Sequence, residues 1–133
     1  MHLSSNSDLE ATDMVVINNS ANRGGGISIL NSVGDFIGGE INNNYACRGG
    51  GIFSFRSDLD FFSITLTQNN SEDIGGGLLS ISTNLVMDST NVTFNSSDSS
   101  SGGGIRCLNF DSTSTYDVAV SYTHLTLPTI LLV

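Results

Sequence analysis

The chain contains no lysine and no tryptophan, and only one proline, two cysteines and two histidines among 133 residues. Each shortage removes a class of chemistry. Without lysine there is no P-loop, no Schiff-base intermediate and no lysine general base. His2 and His124 stand in the terminal segments, so the body of the chain holds no histidine for a catalytic dyad or a metal cage. Cys47 and Cys107 are too few for a disulfide scaffold or a zinc site. No apolar run approaches the roughly 20 residues of a membrane-spanning helix. The opening MHLSSNSDLEATD lacks the basic start and apolar stretch of a signal peptide, which is compatible with Met1 being an internal methionine of a longer protein. Nowhere do apolar residues recur with the i, i+3, i+4, i+7 spacing of an amphipathic helix.

What is present is equally lopsided. Thirteen acids face four arginines, a net charge of -9, which repels phosphate backbones and anionic lipid. Nucleic acid and membrane-surface partners are therefore not expected. Glycine (15), asparagine (14), serine (21) and threonine (11) dominate, yet a hydrophobic share of 38% is enough for one core. The length suits one domain.

Glycine is distributed in register. Triplets begin at Gly24, Gly49, Gly75 and Gly102, spaced by 25, 26 and 27 residues. They comprise Gly24, Gly25 and Gly26; Gly49, Gly50 and Gly51; Gly75, Gly76 and Gly77; and Gly102, Gly103 and Gly104. An aliphatic residue follows each: Ile27, Ile52, Leu78 and Ile105. Five residues before each triplet come Asn19, Asn44, Asn70 and Ser97, and three earlier again Val16, Ile41, Thr67 and Phe94. The unit reads [apolar]-x-x-N-x4-GGG-[I/L], with Thr67 and Ser97 as departures.

Short strand-type runs such as Gly26–Leu30, Asn84–Met87 and Asn91–Phe94 alternate with Gly, Asn, Ser and Asp clusters. Three short strands per period of about 25 residues build one coil of a parallel β-helix, with coils stacked about 4.8 Å apart. The expected architecture is an all-β, right-handed solenoid of about four coils over residues 14–119, without complete caps. Residues 1–13 form a polar segment or a partial coil. Ile27, Ile52, Leu78 and Ile105 are expected as one interior ladder, and Leu30, Phe55, Ile81 and Leu108 as a second. Asn19, Asn44 and Asn70 fall at a turn, where their amides bond along the stack, and the glycines occupy a corner too tight for β-carbons.

The [apolar]-x-x-N and GGG[I/L] elements over residues 14–110 resemble the FxxN and GGA[I/L] repeats of chlamydial polymorphic membrane proteins and related β-helix surface proteins. That resemblance implies a secreted or surface-exposed passenger with an adhesive role. A second resemblance concerns the end of the chain. Val120–Thr129, VSYTHLTLPT, is similar to one translated frame of a transposase-type sequencing adaptor. Residues 120–133 are accordingly expected to be a non-native tail, the alternative being a genuine apolar strand.

Each candidate site has a plain structural reading beside it. GGG[I/L] matches neither GxGxxG nor GxxxxGK[ST], and its fourfold recurrence in phase marks turn glycines. Asp35 and Asp60 share a phase, with Asp58 and Arg56 nearby. Stacked carboxylates suit Ca²⁺, or they are solvated charges on an outer face. No other cofactor is expected. Arg23 and Arg48 precede the glycines in adjacent coils, Ile74 and Ser101 taking their place later, and form either a paired anion site or exposed charges. Ser28, Phe53, Leu79 and Arg106 should point outward, making Phe53 over Leu79 an exposed apolar contact unless a loop covers it. Cys47 and Cys107 lie two coils, or about 10 Å, apart, beyond the roughly 7 Å limit for a bridge, and should be free, with Cys107 facing inward. Four sequons, at Asn18, Asn69, Asn91 and Asn95, stand against roughly three expected by chance from this composition and carry no weight for glycosylation.

The expected function is non-enzymatic: a piece of an adhesin-like surface solenoid that binds a host-cell or surface protein or a polysaccharide, with end-to-end association through its open coils. The rival is a polysaccharide lyase or glycoside hydrolase whose catalytic coil lies elsewhere, and a third reading is a structural spacer.

Overall fold

The computed structural model describes residues 1–98, 102–111, 113–121 and 130–132. It shows the expected all-β parallel solenoid of about four coils, with no helix among the described residues. The first coil holds β1 (His2–Ser4), β2 (Asp8–Ile17) and β3 (Ser20–Arg23). The second holds β4 (Ile27–Leu30), β5 (Val33–Asn42) and β6 (Tyr45–Arg48). The third holds β7 (Ile52–Phe55), β8 (Asp58–Phe62), β9 (Thr65–Thr67) and β10 (Asn70–Ile74). The fourth holds β11 (Leu78–Ile81), β12 (Asn84–Thr93) and β13 (Ser96–Ser97); a further turn begins with β14 (Ile105–Leu108) and β15 (Tyr116–Ser121), and β16 (Ile130–Leu132) stacks on β14 one turn later.

Stacking sorts these strands into three parallel sheets. The first runs β1-β4-β7-β11-β14-β16, the second β2-β5-β8-β12-β15 with β9 beside β5 and β12, and the third β3-β6-β10-β13. The opening residues pair in register like the rest, His2–Ser4 with Ser28–Leu30. At the other end Val120 and Ser121 pair with Thr90 and Asn91, and Ile130–Leu132 with Ile105–Cys107. Most of the expected adaptor-derived tail, residues 122–129 and 133, lies outside the described residues, as does Ser101.

Ile27, Ile52, Leu78 and Ile105 form the first interior ladder as expected, each fully buried. The second expected ladder is a correction. Leu30, Phe55, Ile81 and Leu108 are half-buried and lie outside the core cluster, which takes Ile29 and Cys107 instead. Side chains alternate along a strand, so a residue three after an inward one must face out. The true second column is Ile29, Ser54, Ser80 and Cys107. Ser54 shares a hydroxyl hydrogen bond of 2.7 Å with Thr83. The rest of the core comes from the second sheet, where Phe36 and Phe61 stack with centroids 5.0 Å apart.

The corners explain the glycines and many of the asparagines. The first residue of each triplet is left-handed, from φ +61° at Gly24 to +82° at Gly102, a conformation that glycine adopts without a steric penalty. A β-carbon on Gly50 would lie under 3.0 Å from the carbonyls of Asn70 and Gly76 in the next coil, so the coils could not approach. Other left-handed bends fall at Asn18, Asn43, Gln68 and Phe94, and at Asn6, Asn31, Arg56 and Ser82. Asparagine reaches this region more easily than other non-glycine residues.

The asparagine ladder needs a second correction. Its members are Asn19, Asn44, Asn69 and Asn95, not Asn70. The amide oxygen of Asn69 accepts from the backbone N–H and the amide of Asn44, both at 3.0 Å. Its amide nitrogen donates to Asn95 and to the carbonyls of Ile41 and Thr67, all at 2.9 Å. Asn70 pairs instead with Tyr45 on the third sheet. The reason is that the third coil carries its extra residue after the asparagine, at a bulge between Ser71 and Ile74, rather than before it. With Asn69 and Asn95 in place, the apolar position becomes Val16, Ile41, Leu66 and Val92, without exception. Thr67 and Phe94 leave it. Phe94 is a left-handed turn residue, 64% exposed.

Candidate functional site

Two outer faces carry the chemistry, and they divide the charge between them. All four arginines border the outer face of the first sheet. Its floor is the column Ser28, Phe53, Leu79 and Arg106, directed outward as the alternation requires. The expected exposed Phe53–Leu79 pair is a correction: Phe53 is 3% and Leu79 0% exposed. The cover comes from the chain itself. The glycine corner brings the end of the third sheet alongside, so the Arg23 guanidinium sits 5.5 Å from the Phe53 ring centroid. On the far side Arg56 lies 4.9 Å over the Phe55 ring. Cations over ring faces gain from the aromatic quadrupole.

Arg23 and Arg48 stack in adjacent coils as expected. Arg48 Nε also bonds Asp73 Oδ2 at 3.1 Å, with both side chains about half exposed, an arrangement that holds a charge in place with little net stabilisation. With Leu30, Phe53, Phe55 and Ile81 these two arginines enclose a trough of about 410 Å³. Its character is apolar floor and wall with cationic rim. A second trough, sharing Arg23 and Leu30, continues it past Ser28 toward His2. The sequence offers Arg23 with Arg48 and Phe53 with Leu79 as two separate candidates, and the trough brings Arg23, Arg48 and Phe53 to one place. Phe55, expected in the core, walls it instead, and Arg56, expected beside the aspartates, lies over that ring.

The outer face of the second sheet is acidic. Glu10, Asp35 and Asp60 stack in consecutive coils, all exposed, and Asp117 joins the same column beyond Val86. Asp8 and Asp58 flank it on one side, and Ile37, Phe62 and Asp88 on the other. Asp58 accepts from the Asn84 amide at 2.6 Å. Asp35 and Asp60 are therefore adjacent as expected, but no group of three His, Cys, Asp or Glu residues among the described residues is arranged to hold a metal ion.

A wider cleft of about 550 Å³ lies at the corner between the first and second sheets, near Arg56, Asp58 and Asp111. Several of the polar groups at this corner are committed to the fold. Ser32, Ser57 and Thr83 each donate to the carbonyl two residues back, and Ser32 and Ser57 accept from the backbone of the preceding coil. This hydroxyl ladder has the logic of the asparagine ladder. Asp111 caps its own loop, accepting from the hydroxyl and backbone of Ser114 and from Thr113, which pulls its carboxyl down to about 2.

Both cysteines are free. Burial pushes the Cys107 thiol up to about 12. Cys47 is half-buried on the third sheet, and its thiol is raised chiefly by a hydrogen bond to Glu72, which also accepts from Tyr45. Neither thiol is an activated nucleophile. No helix among the described residues is long and apolar enough to cross a membrane, and this says nothing of a β-barrel.

The fold and its two faces define the class, a parallel β-helix with chemically distinct outer sheets. No family model, curated protein or solved structure matches the chain.

Proposed function

We propose that this chain is part of a secreted or surface-exposed, adhesin-like β-helix protein that works by binding. The observation that carries the reading is the trough on the first sheet. The few cations of an acidic protein gather around an apolar strip, with Arg23 and Arg56 resting on phenylalanine rings. Such a strip suits contact better than bond cleavage: it offers rings, aliphatic walls and guanidinium donors, but no carboxylate pair to act as acid and base. The likeness of its repeats to those of polymorphic membrane proteins supports an adhesive role at a cell surface. At physiological ionic strength charges act over about 8 Å, so a partner approaching the trough meets its arginines rather than the net charge of the whole chain.

The test passes the protein over immobilised polygalacturonate and heparin while recording both retention and new reducing ends or unsaturated products. The reading expects retention that falls about tenfold in Arg23→Gln/Arg48→Gln, with no product released. Product formation would establish the rival lyase or hydrolase. Retention indifferent to the arginines would remove the trough from the account.

A further inference from the structure

We propose that the arginine-bordered outer face of the first sheet docks the acidic outer face of the second sheet on another copy of this chain. The inference rests on the binding reading above and deepens it by naming the partner.

Three observations carry it. The first is charge. All four arginines border one face, while Asp8, Glu10, Asp35, Asp58, Asp60, Asp88 and Asp117 point from the other. The second is apolar matching. Ile37 is 42% and Phe62 49% exposed beside those carboxylates, and Val33 and Val86 are also exposed. They are counterparts for Leu30, Phe55 and Ile81 along the trough. The third is pitch. Arg23–Arg48 and Glu10–Asp35–Asp60 are both columns with one residue per coil. Their repeat is the same coil rise of about 4.8 Å, so copies lying side by side with parallel axes bring Arg23 and Arg48 into step with two successive carboxylates. Complementarity between two different faces also makes the contact heterologous, so each added copy presents a fresh acidic face and rows grow sideways.

The contact is a narrow strip only a few coils high, so a weak dissociation constant of the order of 100 µM is expected. Sedimentation of the intact chain from about 20 to 500 µM, in 0.15 M and 1 M NaCl, measures it. The proposal expects concentration-dependent dimers and longer rows that weaken roughly tenfold in high salt. Arg23→Glu/Arg48→Glu and Asp35→Lys/Asp60→Lys should each stay monomeric, and an equimolar mixture of the two should associate through the reversed pairs. Far-UV circular dichroism checks that each folds, and Arg23→Gln/Arg48→Gln repeats the first arm without introducing charge.

A wild type that is monomeric at 500 µM overturns the proposal. So does association that ignores both reversals, which would be end-to-end stacking through open coils, and so does a mixture that fails to recover. If self-association fails while polysaccharide retention still depends on Arg23 and Arg48, only the named partner falls. If both fail, the binding reading of the face falls with it.

Discussion

Replacing Asn69 by alanine should be among the most damaging substitutions in the chain, and replacing Asn70 among the mildest. Asn69 is fully buried and its amide makes five hydrogen bonds reaching both neighbouring coils. Truncation leaves some groups with other partners: the Asn44 amide still donates to Val16, and the Thr67 carbonyl still accepts from Asn43. The buried N–H of Asn44 loses its acceptor and the carbonyl of Ile41 loses a donor. At about 1–3 kcal/mol for each buried polar group stripped of its partner, Asn69→Ala should cost about 3–4 kcal/mol. That is a large part of the 5–15 kcal/mol typical of a domain. Asn70 is half-buried, and its side-chain oxygen accepts a hydrogen bond from the Ser96 hydroxyl at 3.0 Å. Asn70→Ala should cost about 0.5 kcal/mol. Urea titration followed by far-UV circular dichroism reads both. Equal losses, or a larger loss at Asn70, would refute the ladder register described here.

Three further outcomes follow from the same structure. Phe61→Ala removes one ring of the stacked pair at a site 1% exposed and should cost about 3–5 kcal/mol, read as a shift of the urea midpoint without a change of slope. With a disulfide-exchange reagent at neutral pH, Cys47 should react slowly and Cys107 only on unfolding, since its buried thiol is held up near 12; mass spectrometry of the labelled peptides distinguishes them. The Asp111 carboxyl, lowered to about 2 from 3.8, makes the loop around it more stable above pH 4, and that contribution disappears as pH falls from about 4 to 2. Carboxyl NMR titration should place its midpoint near 2 and should show Asp111→Asn removing the local transition.

The repeat, its period, the glycine corner and the first aliphatic ladder were legible because each rests on short-range spacing. Two things misled the reading, both for physical reasons. Counting backwards from the triplets assumed a constant gap from asparagine to glycine, whereas a bulged corner absorbs the extra residue of the third coil. The signal for the right register was nonetheless present: only Asn69 and Asn95 place an apolar residue three positions earlier in every copy. The second ladder was assigned by hydrophobicity over parity. Leu30, Phe55 and Ile81 are apolar because they wall a trough, while serines at 54 and 80 occupy the interior. The same error concealed the site, since an apolar outer column beside arginines is what marks it. Which side chains share a face follows from parity, but that Arg56 lies over Phe55 depends on a left-handed residue at φ +48° that spacing does not announce.

The proposed surface role is tested most directly by long-read sequencing of the source locus on both sides of the codons for residues 1–119. The account predicts further Asn…GGG coils leading toward an export signal and a membrane anchor. Flanking coils that instead gather carboxylates with lysine, arginine or histidine in one groove would contradict it, and would make this chain the scaffold of a polysaccharide-cleaving enzyme.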